Sequence, residues 1–281
     1  MSVEFHKMTG SGNDFVMLDG RTTSEPDWPT DRIARACDRR DGVGADGLVL
    51  INPIGADRVR MTYFNSDGSR AAMCGNAALC STRLAARLGM ADPARMTLVT
   101  DAGDYEARCV GEDHQAEIHF PDTAAPVAAA IPLAAGELSV ALGTVGVPHL
   151  VALVVDVAAV PLEARGRELR FHRGAGPTGA NANFISRLPS SRHRSTSDPG
   201  EPGWAIRTYE RGVEGETLAC GTGTVAAALS IACSGLDQLP LRFRAGSGRV
   251  LSVTAVLHGS EATDIWLCGE GLLVFTGVWQ G

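Results

Sequence analysis

Short apolar runs separated by polar turns dominate the hydrophobic pattern of this chain. Runs of this kind, rich in Val, Ile, Leu, Phe and Tyr, are typical of β-strands. They predict strands at 15–18, 47–51, 59–64 and 96–100, two segments within 107–120 around a turn at 111–113, and further strands at 138–142, 150–155, 205–209, 241–244, 250–256, 263–267 and 272–275.

Helical patterns are fewer. The spacing of apolar residues predicts a helix over 31–39, a second over 77–88 that ends at Gly89, and a third over the Ala/Leu-rich stretch 225–232. Many strands with few helices favour the α+β class over a doubly wound parallel sheet.

Two segments interrupt this pattern. Residues 121–126 contain two prolines and predict a boundary between domains. Residues 186–203 are rich in Ser, Arg and Pro, and we expect them to form an exposed, mobile hairpin tip.

A short motif occurs twice, as Met73–Ala78 and as Ala219–Thr224, and each copy carries a Cys-Gly pair before a predicted helix. The two cysteines, Cys74 and Cys220, are 146 positions apart. A predicted strand precedes each copy, so the order strand, polar turn, Cys-Gly, helix is repeated. We therefore expect one supersecondary unit used twice, with two thiols that face each other across a cleft.

The start of a helix explains why this arrangement suits proton transfer. The first backbone N–H groups of a helix lack partners within it, and the helix dipole is positive there. A thiol at this position has a lowered pKa, and a carboxylate can bind the amides. We expect a substrate carboxylate on the amides of Gly75, Asn76, Gly221 and Thr222. One thiolate then removes the α-proton and the other thiol protonates the opposite face, which is the chemistry of a racemase or epimerase.

Composition narrows the class of partner. A chain of 281 residues favours two domains, and a net charge of −7 argues against nucleic acid or an anionic membrane as partner. The first residues contain no apolar segment of a secretory signal. Seven cysteines without a Cys-x-x-Cys spacing argue against a disulfide framework and against a structural metal site. We expect a cytoplasmic protein with reduced thiols, no metal and a small amino-acid substrate.

The basic residues are divided unequally, into 24 arginines and one lysine, Lys7. Amino-acid racemisation commonly uses pyridoxal phosphate bound to a lysine. Lys7 lies near the terminus and outside any recognisable cofactor motif, so the sequence favours chemistry without a cofactor.

These motifs resemble the diaminopimelate epimerase family of cofactor-independent two-cysteine epimerases and racemases. The likeness extends over nearly the whole chain. It is carried by Phe5–Phe15, Gly42–Gly47, Phe64–Ser69, Met73–Ala77, Tyr209–Gly212 and Glu216–Gly223.

The resemblance implies two pseudo-symmetric domains, each a mixed barrel-like β-sheet around a central helix. The first half would span 1–122, completed by a C-terminal strand at 270–281, and the second half would span 123–269. The active site would lie between them, and a homodimer is one option for the assembly.

Site residues follow from the resemblance position by position. Cys74 and Cys220 match the catalytic cysteines, and His149 and Glu210 match residues that support them. Residues that match the family's substrate contacts are Asn13, Asn65, Asn181, Glu210 and Arg211. Local sequence alone leaves other roles open for these residues. The three asparagines could form turns, and Glu210 and Arg211 could form a solvated ion pair. His149 could be a structural residue of the core. Two positions depart from the family: Val147 stands where Asn is frequent, and Gly47 where some members have Gln.

The expected activity is interconversion of LL- and meso-2,6-diaminopimelate, in lysine and peptidoglycan precursor biosynthesis. The first alternative is a racemase of another amino acid, such as histidine, with the same cysteines, which Val147 keeps open. A related fold isomerises double bonds without the cysteine pair, and the two thiols argue against that function. A non-catalytic binding or thiol-sensing protein is the remaining alternative.

Overall fold

The computed structural model describes residues 2–111, 114–189 and 201–281, and the chain divides into two units. One unit contains the chain up to His119 together with Cys268–Gly281, and the other contains Phe120–Leu267. The domain boundaries expected from the sequence, at 122/123 and 269/270, stay a prediction.

Strands are the main regular elements of the described chain. In the first half they are β1 (Val3–Gly10), β2 (Asn13–Asp19), β3 (Gly47–Gly55), β4 (Arg58–Asn65), β5 (Arg70–Ala71), β6 (Met96–Thr100), β7 (Gly103–Val110) and β8 (Gln115–Phe120). They continue as β9 (Thr123–Ala124), β10 (Val127–Ala128), β11 (Glu137–Val145), β12 (Val147–Val154), β13 (Asn181–Arg187), β14 (Trp204–Glu210), β15 (Gly215–Thr217), β16 (Leu241–Arg244), β17 (Val250–His258), β18 (Glu261–Glu270) and β19 (Leu272–Trp279). The α-helices are α1 (Thr30–Cys37), α2 (Gly75–Arg87), α3 (Leu162–Arg170) and α4 (Gly221–Cys233).

Strand pairing repeats between the two units. In the first, β1 and β2 pair antiparallel, β2 and β3 parallel, β3 and β4 antiparallel, β4 and β6 parallel, and β6 and β7 antiparallel. In the second, β11, β12, β13, β14, β16 and β17 pair with the same alternation of directions. The supersecondary repeat predicted from the two Cys-Gly motifs is therefore present in the backbone.

Each unit has one helix at its centre. Helix α2 packs against β19 and against β1, β2, β3, β4, β6 and β7, so the sheet curves around it. Helix α4 packs in the same way against β11, β12, β13 and β17. Most residues of both helices are buried, and small residues such as Ala77, Ala78, Ala226 and Ala227 allow the strands to approach closely. A helix that is apolar on all sides is stable only in such a core. The expected fold class, α+β with barrel-like sheets around central helices, is confirmed.

Most elements predicted from the hydrophobic pattern are present. The predicted helix at 31–39 is shorter, at Thr30–Cys37, and the helix predicted from residue 77 begins two positions earlier at Gly75. No element was predicted for strands β1 and β13, for the short strands β5, β9, β10 and β15, or for helix α3. None of the described helices is long and apolar enough to cross a membrane.

Strands β13 and β14 form the predicted hairpin, with Arg187 opposite Trp204 and the Leu188 N–H donating to the Gly203 carbonyl. The predicted mobile tip of this hairpin falls largely on 190–200, outside the described residues. The turn predicted at 111–113 likewise falls on positions 112 and 113, which are not described.

Candidate active site

Cys74 and Cys220 occupy the same local position, the residue immediately before a helix. Both have extended backbones, with φ −138° and ψ 119° at Cys74 and φ −128° and ψ 110° at Cys220. Each carbonyl accepts the first helical hydrogen bond, from Ala78 N–H in one unit and Thr224 N–H in the other, both at 2.9 Å. The prediction that each cysteine stands at the mouth of a helix is confirmed.

Cysteine is an unusual residue at this position, where Ser, Thr, Asp and Asn normally accept a hydrogen bond from the first turn. Neither cysteine side chain caps its helix in that way. The Cys220 sulfur lies 3.7 Å from the Thr222 hydroxyl, and the residue is only 8% exposed. Helix starts of this kind bind anions, because the amides and the helix dipole both favour negative charge.

In the first unit, the structure brings together two of the predicted site residues. The Asn76 side-chain amide, in the first turn of α2, donates to Asn13 Oδ1 at 2.7 Å. Asn13 in turn donates from Nδ2 to Asp46 Oδ2 at 2.9 Å. Asp46 was not predicted as a site residue, although it lies in the Gly42–Gly47 motif, because nothing local indicates a partner 33 positions away.

Asn65 ends strand β4 and serves the turn that follows. Its N–H donates to the Ser69 carbonyl, its carbonyl accepts from Gly68 N–H, and its side chain donates to the Ser69 hydroxyl at 3.0 Å. It lies directly opposite Gly47 in the sheet. A turn role is thus present, and contact with a substrate stays a prediction.

In the second unit, His149 is completely buried on β12. Burial lowers the pKa of its imidazole to about 3, so the ring is neutral near neutral pH. The side-chain amides of Asn181 and Asn183 point at Nδ1, at 3.5 and 3.3 Å. Amide nitrogens can only donate, and a hydrogen bond with the Val145 backbone acts against burial by favouring the protonated ring.

Asn183 lies two positions after Asn181 on β13 and was not predicted as a site residue. It is completely buried, donates to the Leu150 carbonyl at 3.1 Å and accepts from the Thr208 hydroxyl at 2.9 Å. A Cβ atom added to Gly223 would lie 2.2 Å from Asn183 Oδ1 and 3.2 Å from the Cys220 sulfur. Asn183 therefore packs against the first turn of α4, beside Cys220.

Asn181, Glu210 and Arg211 meet where β13 and β14 lie side by side. Asn181 Oδ1 accepts the Arg211 N–H at 2.7 Å. Burial raises the pKa of the Glu210 carboxyl above its usual value. Among the described residues, the guanidinium of Arg211 has no ion-pair partner, unlike that of Arg170, which pairs with Glu214. The solvated Glu210–Arg211 ion pair considered from the sequence does not form.

Lys7 is buried, and its ammonium is already engaged. It forms an ion pair with Asp14 at 2.7 Å and donates to the Gly44 carbonyl. A lysine that carries pyridoxal phosphate needs an amine that can form a Schiff base. The position of Lys7 does not suit that role.

The comparisons with known proteins agree with the internal repeat. The family model described as Diaminopimelate epimerase matches residues 5–124 and again residues 142–261. A diaminopimelate epimerase of Gemmatimonas aurantiaca is 41% identical to this chain, over 98% of both chains. The chain belongs to the diaminopimelate epimerase family. The resemblance inferred from the sequence motifs is confirmed, and with it the assignment to the isomerases.

Solved structures show the same fold in more distant proteins. A Bacillus anthracis phenazine biosynthesis protein of the PhzF family matches with a TM-score of 0.72 and 16% identity, over 99% of both chains. A hydroxyproline epimerase from Agrobacterium vitis, with bound trans-4-hydroxy-L-proline, matches with a TM-score of 0.66 and 16% identity, over 99% of this chain and 92% of that one. At such identities the likeness concerns the fold alone.

Proposed function

We propose that this chain interconverts LL- and meso-2,6-diaminopimelate, with Cys74 and Cys220 as the two proton-transfer groups. The observation that carries this proposal is the pair of cysteines at equivalent helix starts in the two units of a duplicated fold. Membership of the diaminopimelate epimerase family supports the substrate. The roles of the individual residues below are part of the proposal.

The reaction needs two groups that reach the same α-carbon from opposite faces. One cysteine, as thiolate, takes the α-proton: an S–H bond forms, the C–H bond breaks, and its electron pair stays on the substrate. The other cysteine, as thiol, then gives its proton to the opposite face and becomes a thiolate. The number of protons on the pair is unchanged, and the configuration of the carbon is inverted.

The difficult species is the carbanion, because a proton next to a carboxylate is very weakly acidic. Charge develops on the carboxylate oxygens, where a fixed donor stabilises it most. The amides of Gly75 and Asn76, and those of Gly221 and Thr222, begin the two helices and provide such donors. The dipoles of α2 and α4 add to this effect.

The second amino-acid end of diaminopimelate requires its own contacts. Arg211, with no ion-pair partner in the described chain, can bind a carboxylate with two parallel hydrogen bonds. Asn13, Asn65, Asn181 and Glu210 supply amide and carboxylate oxygens for ammonium groups. His149 is neutral, and it supports Cys220 through Asn183, which contacts both the His149 ring and the first turn of α4.

Chemistry without pyridoxal phosphate is supported by Lys7, the single lysine of the chain, whose ammonium is paired with Asp14. The substrate is a small molecule, and we place the enzyme in the cytoplasm, where amino-acid precursors are made and thiols stay reduced.

The test is α-proton exchange. Reduced protein is incubated with LL-diaminopimelate in D₂O, and α-deuteration is followed together with formation of the meso form. We expect both in the wild type and in Cys233→Ala, which changes an exposed cysteine at the end of α4. Both should be lost in Cys74→Ala. Absence of exchange with diaminopimelate in the wild type would refute the proposed substrate.

A second candidate substrate class is favoured by Val147, a half-buried apolar side chain at the start of β12. In the repeat it stands where the first unit has Asn13, so one amide contact is lost. Exchange with another amino acid, such as histidine, but none with diaminopimelate, would retain the two-thiol chemistry and assign a sister racemase. Absence of exchange with any amino acid would favour the binding-protein alternative.

A further inference from the structure

Four charged side chains form a cluster on the first unit that takes no part in the proposed proton transfer. They are Lys7, Asp14, Arg39 and Asp46, and together they are called the Asp46 cluster. Asp14 accepts from Lys7 at 2.7 Å and from Arg39 at 2.8 Å, and Arg39 also reaches Asp46 at 2.7 Å. The backbone N–H of Asp46 donates to Asp14 Oδ1 at 3.0 Å. Two cations and two carboxylates therefore hold one another in place.

Within this cluster, both oxygens of Asp46 are used. Oδ1 accepts from Arg39, while Oδ2 accepts from Asn13 Nδ2 at 2.9 Å and from Asp14 N–H at 3.2 Å. All three neighbours are donors, so an ionised carboxylate, which only accepts, matches them. The Asp46 side chain is 37% exposed, so its loss need not disturb the core.

The contact with Asp46 fixes which way the Asn13 amide points. A carboxylate can accept only from the nitrogen, so Asn13 turns Nδ2 towards Asp46 and Oδ1 towards Asn76, whose amide donates to it at 2.7 Å. Asn76 lies in the first turn of α2, two residues after Cys74. A flip of Asn13 would place two amide nitrogens against each other and break this link.

We propose that Asp46 is a positioning residue for substrate binding, which acts by holding the Asn13 amide in one orientation. The proposal rests on the function proposed above. With this orientation fixed, Asn13 retains one N–H and one oxygen lone pair for a ligand. One donor and one acceptor side by side suit the carboxylate and ammonium of an amino-acid end, and a flip would exchange them.

The test compares Asp46→Ala with Asp46→Asn. Alanine removes every acceptor, so the Asn13 amide is no longer held. Asparagine keeps one oxygen for Asn13 and can turn its nitrogen towards Arg39, whose exposed side chain is able to move away. We expect Asp46→Ala to raise KM for diaminopimelate about tenfold and to change kcat less than about threefold, the size expected for one charge-assisted hydrogen bond. Asp46→Asn should stay within about threefold of the wild type in both.

A double-mutant cycle separates a role through Asn13 from an independent one. In an Asn13→Ala background, Asp46→Ala should have almost no further effect on KM, because the residue that it positions is gone. Effects that multiply would overturn the proposal. The control is Asp104→Ala, which removes an exposed carboxylate paired with Arg58 on the same unit and should leave KM unchanged.

The NMR signal of the Asn13 side-chain amide tests the proposal without substrate, and so independently of the proposed function. The Asn13 side-chain NH₂ signal, assigned by its absence in Asn13→Ala, should shift in Asp46→Ala and keep its wild-type position in Asp46→Asn and Asp104→Ala. An unshifted signal in Asp46→Ala would overturn the positioning role even in an active enzyme. A wild type that epimerises nothing would refute the proposed function, and the amide signal would still decide whether Asp46 orients Asn13.

Discussion

The strands around α2 and those around α4 pair in the same order, yet their side chains differ at matching register positions. In the first unit, Phe15 pairs with Gly47, and Val49 pairs with Tyr63. Phe15 and Tyr63 form an edge-to-face contact with ring centroids 6.1 Å apart. The Tyr63 ring also covers Gly47, since a Cβ there would lie 2.7 Å from it. This interior is aromatic and apolar.

The second unit has polar side chains at the same four positions. His149 pairs with Asn181 as Phe15 pairs with Gly47, and Asn183 pairs with Thr208 as Val49 pairs with Tyr63. These residues are buried and joined by hydrogen bonds from Thr208 to Asn183 and from Asn183 to the His149 ring. The Asn183 end of this network packs against the helix turn that carries Cys220.

At the starts of the same strands, the polar side chains lie in the first unit and the apolar ones in the second. The first unit has Asn13, Asp14 and Asp46, while the matching positions of the second unit are Val147, Pro148 and Ala180. The duplicated backbone therefore carries its polar network at the strand ends in one half and within the strands in the other. It follows that the surroundings of Cys74 and Cys220 differ, although their backbone positions match.

The largest expected effect is on epimerisation, and it tests whether Cys74 and Cys220 are both required despite their different surroundings. Cys74→Ser and Cys220→Ser should each reduce epimerisation by about 10²- to 10⁴-fold, the range for loss of a general acid or base. The assay is chiral separation of the diaminopimelate isomers over time. Cys233→Ser serves as control, and near wild-type activity in either single variant would refute the two-thiol mechanism.

The next effect concerns stability. Asn183→Leu should lower the free energy of unfolding by about 2–4 kcal/mol, because it leaves the Leu150 carbonyl and the Thr208 hydroxyl buried without their partner. The control change Leu50→Met, a volume-conserving swap at a buried position of the equivalent strand β3, should cost less than about 1.5 kcal/mol. Urea unfolding measures both. Equal costs would mean that the polar network adds no stability of its own.

A pH dependence should distinguish the two units. The folded His149 resists protonation down to a pKa of about 3, whereas the same residue in the unfolded chain takes up a proton near 6.5. The unfolded state therefore binds more protons as the pH falls below 6.5, and the protein loses stability there, at up to ~1.4 kcal/mol per pH unit.

His149→Phe places at this position the side chain that Phe15 has in the first unit. It should remove the contribution of His149 to the slope of the free energy of unfolding against pH. Denaturant unfolding at several pH values between 4.5 and 7 measures it. His258→Gln, at the exposed end of β17, is the control. A slope unchanged in His149→Phe would contradict a neutral, buried ring.

The smallest effect belongs to the aromatic contact of the first unit. Phe15→Leu keeps an apolar side chain but removes the edge-to-face contact with Tyr63, so we expect a loss of about 1 kcal/mol. Thermal unfolding measures it, and a gain in stability would show that this interior is strained rather than well packed.

The sequence was most informative where a local signal existed. The repeated Cys-Gly motif predicted that a helix follows each cysteine, although the two helices begin two and four positions before the apolar stretches from which they were predicted. Helix α3 gave no such signal: its charged residues Arg165 and Arg170 are buried because they pair with Glu137 and Glu214 from distant segments. Gly166 fits there because Tyr209 leaves no room for a Cβ.

Asp46 and Asn183 were missed as site residues for a related reason. Each acts through a hydrogen bond to a residue far away in the sequence, Asn13 or Thr208, and strand register alone creates that proximity. Strand β13, which carries Asn183, has no alternation to reveal it, because both its faces are buried. The hydrophobic pattern along the chain indicates which side chains face water. It does not indicate which side chains of two buried strands form hydrogen bonds with each other.

The fit between Gly223 and Asn183 has a consequence for anyone who wishes to alter this enzyme by directed evolution. A Cβ at 223 would lie 2.2 Å from Asn183 Oδ1, so a side chain there requires the buried Asn183 amide to move, and we expect single substitutions at 223 to be destabilising. Positions 183 and 223 are thus expected to be epistatic. Libraries aimed at the surroundings of Cys220 should randomise the two together.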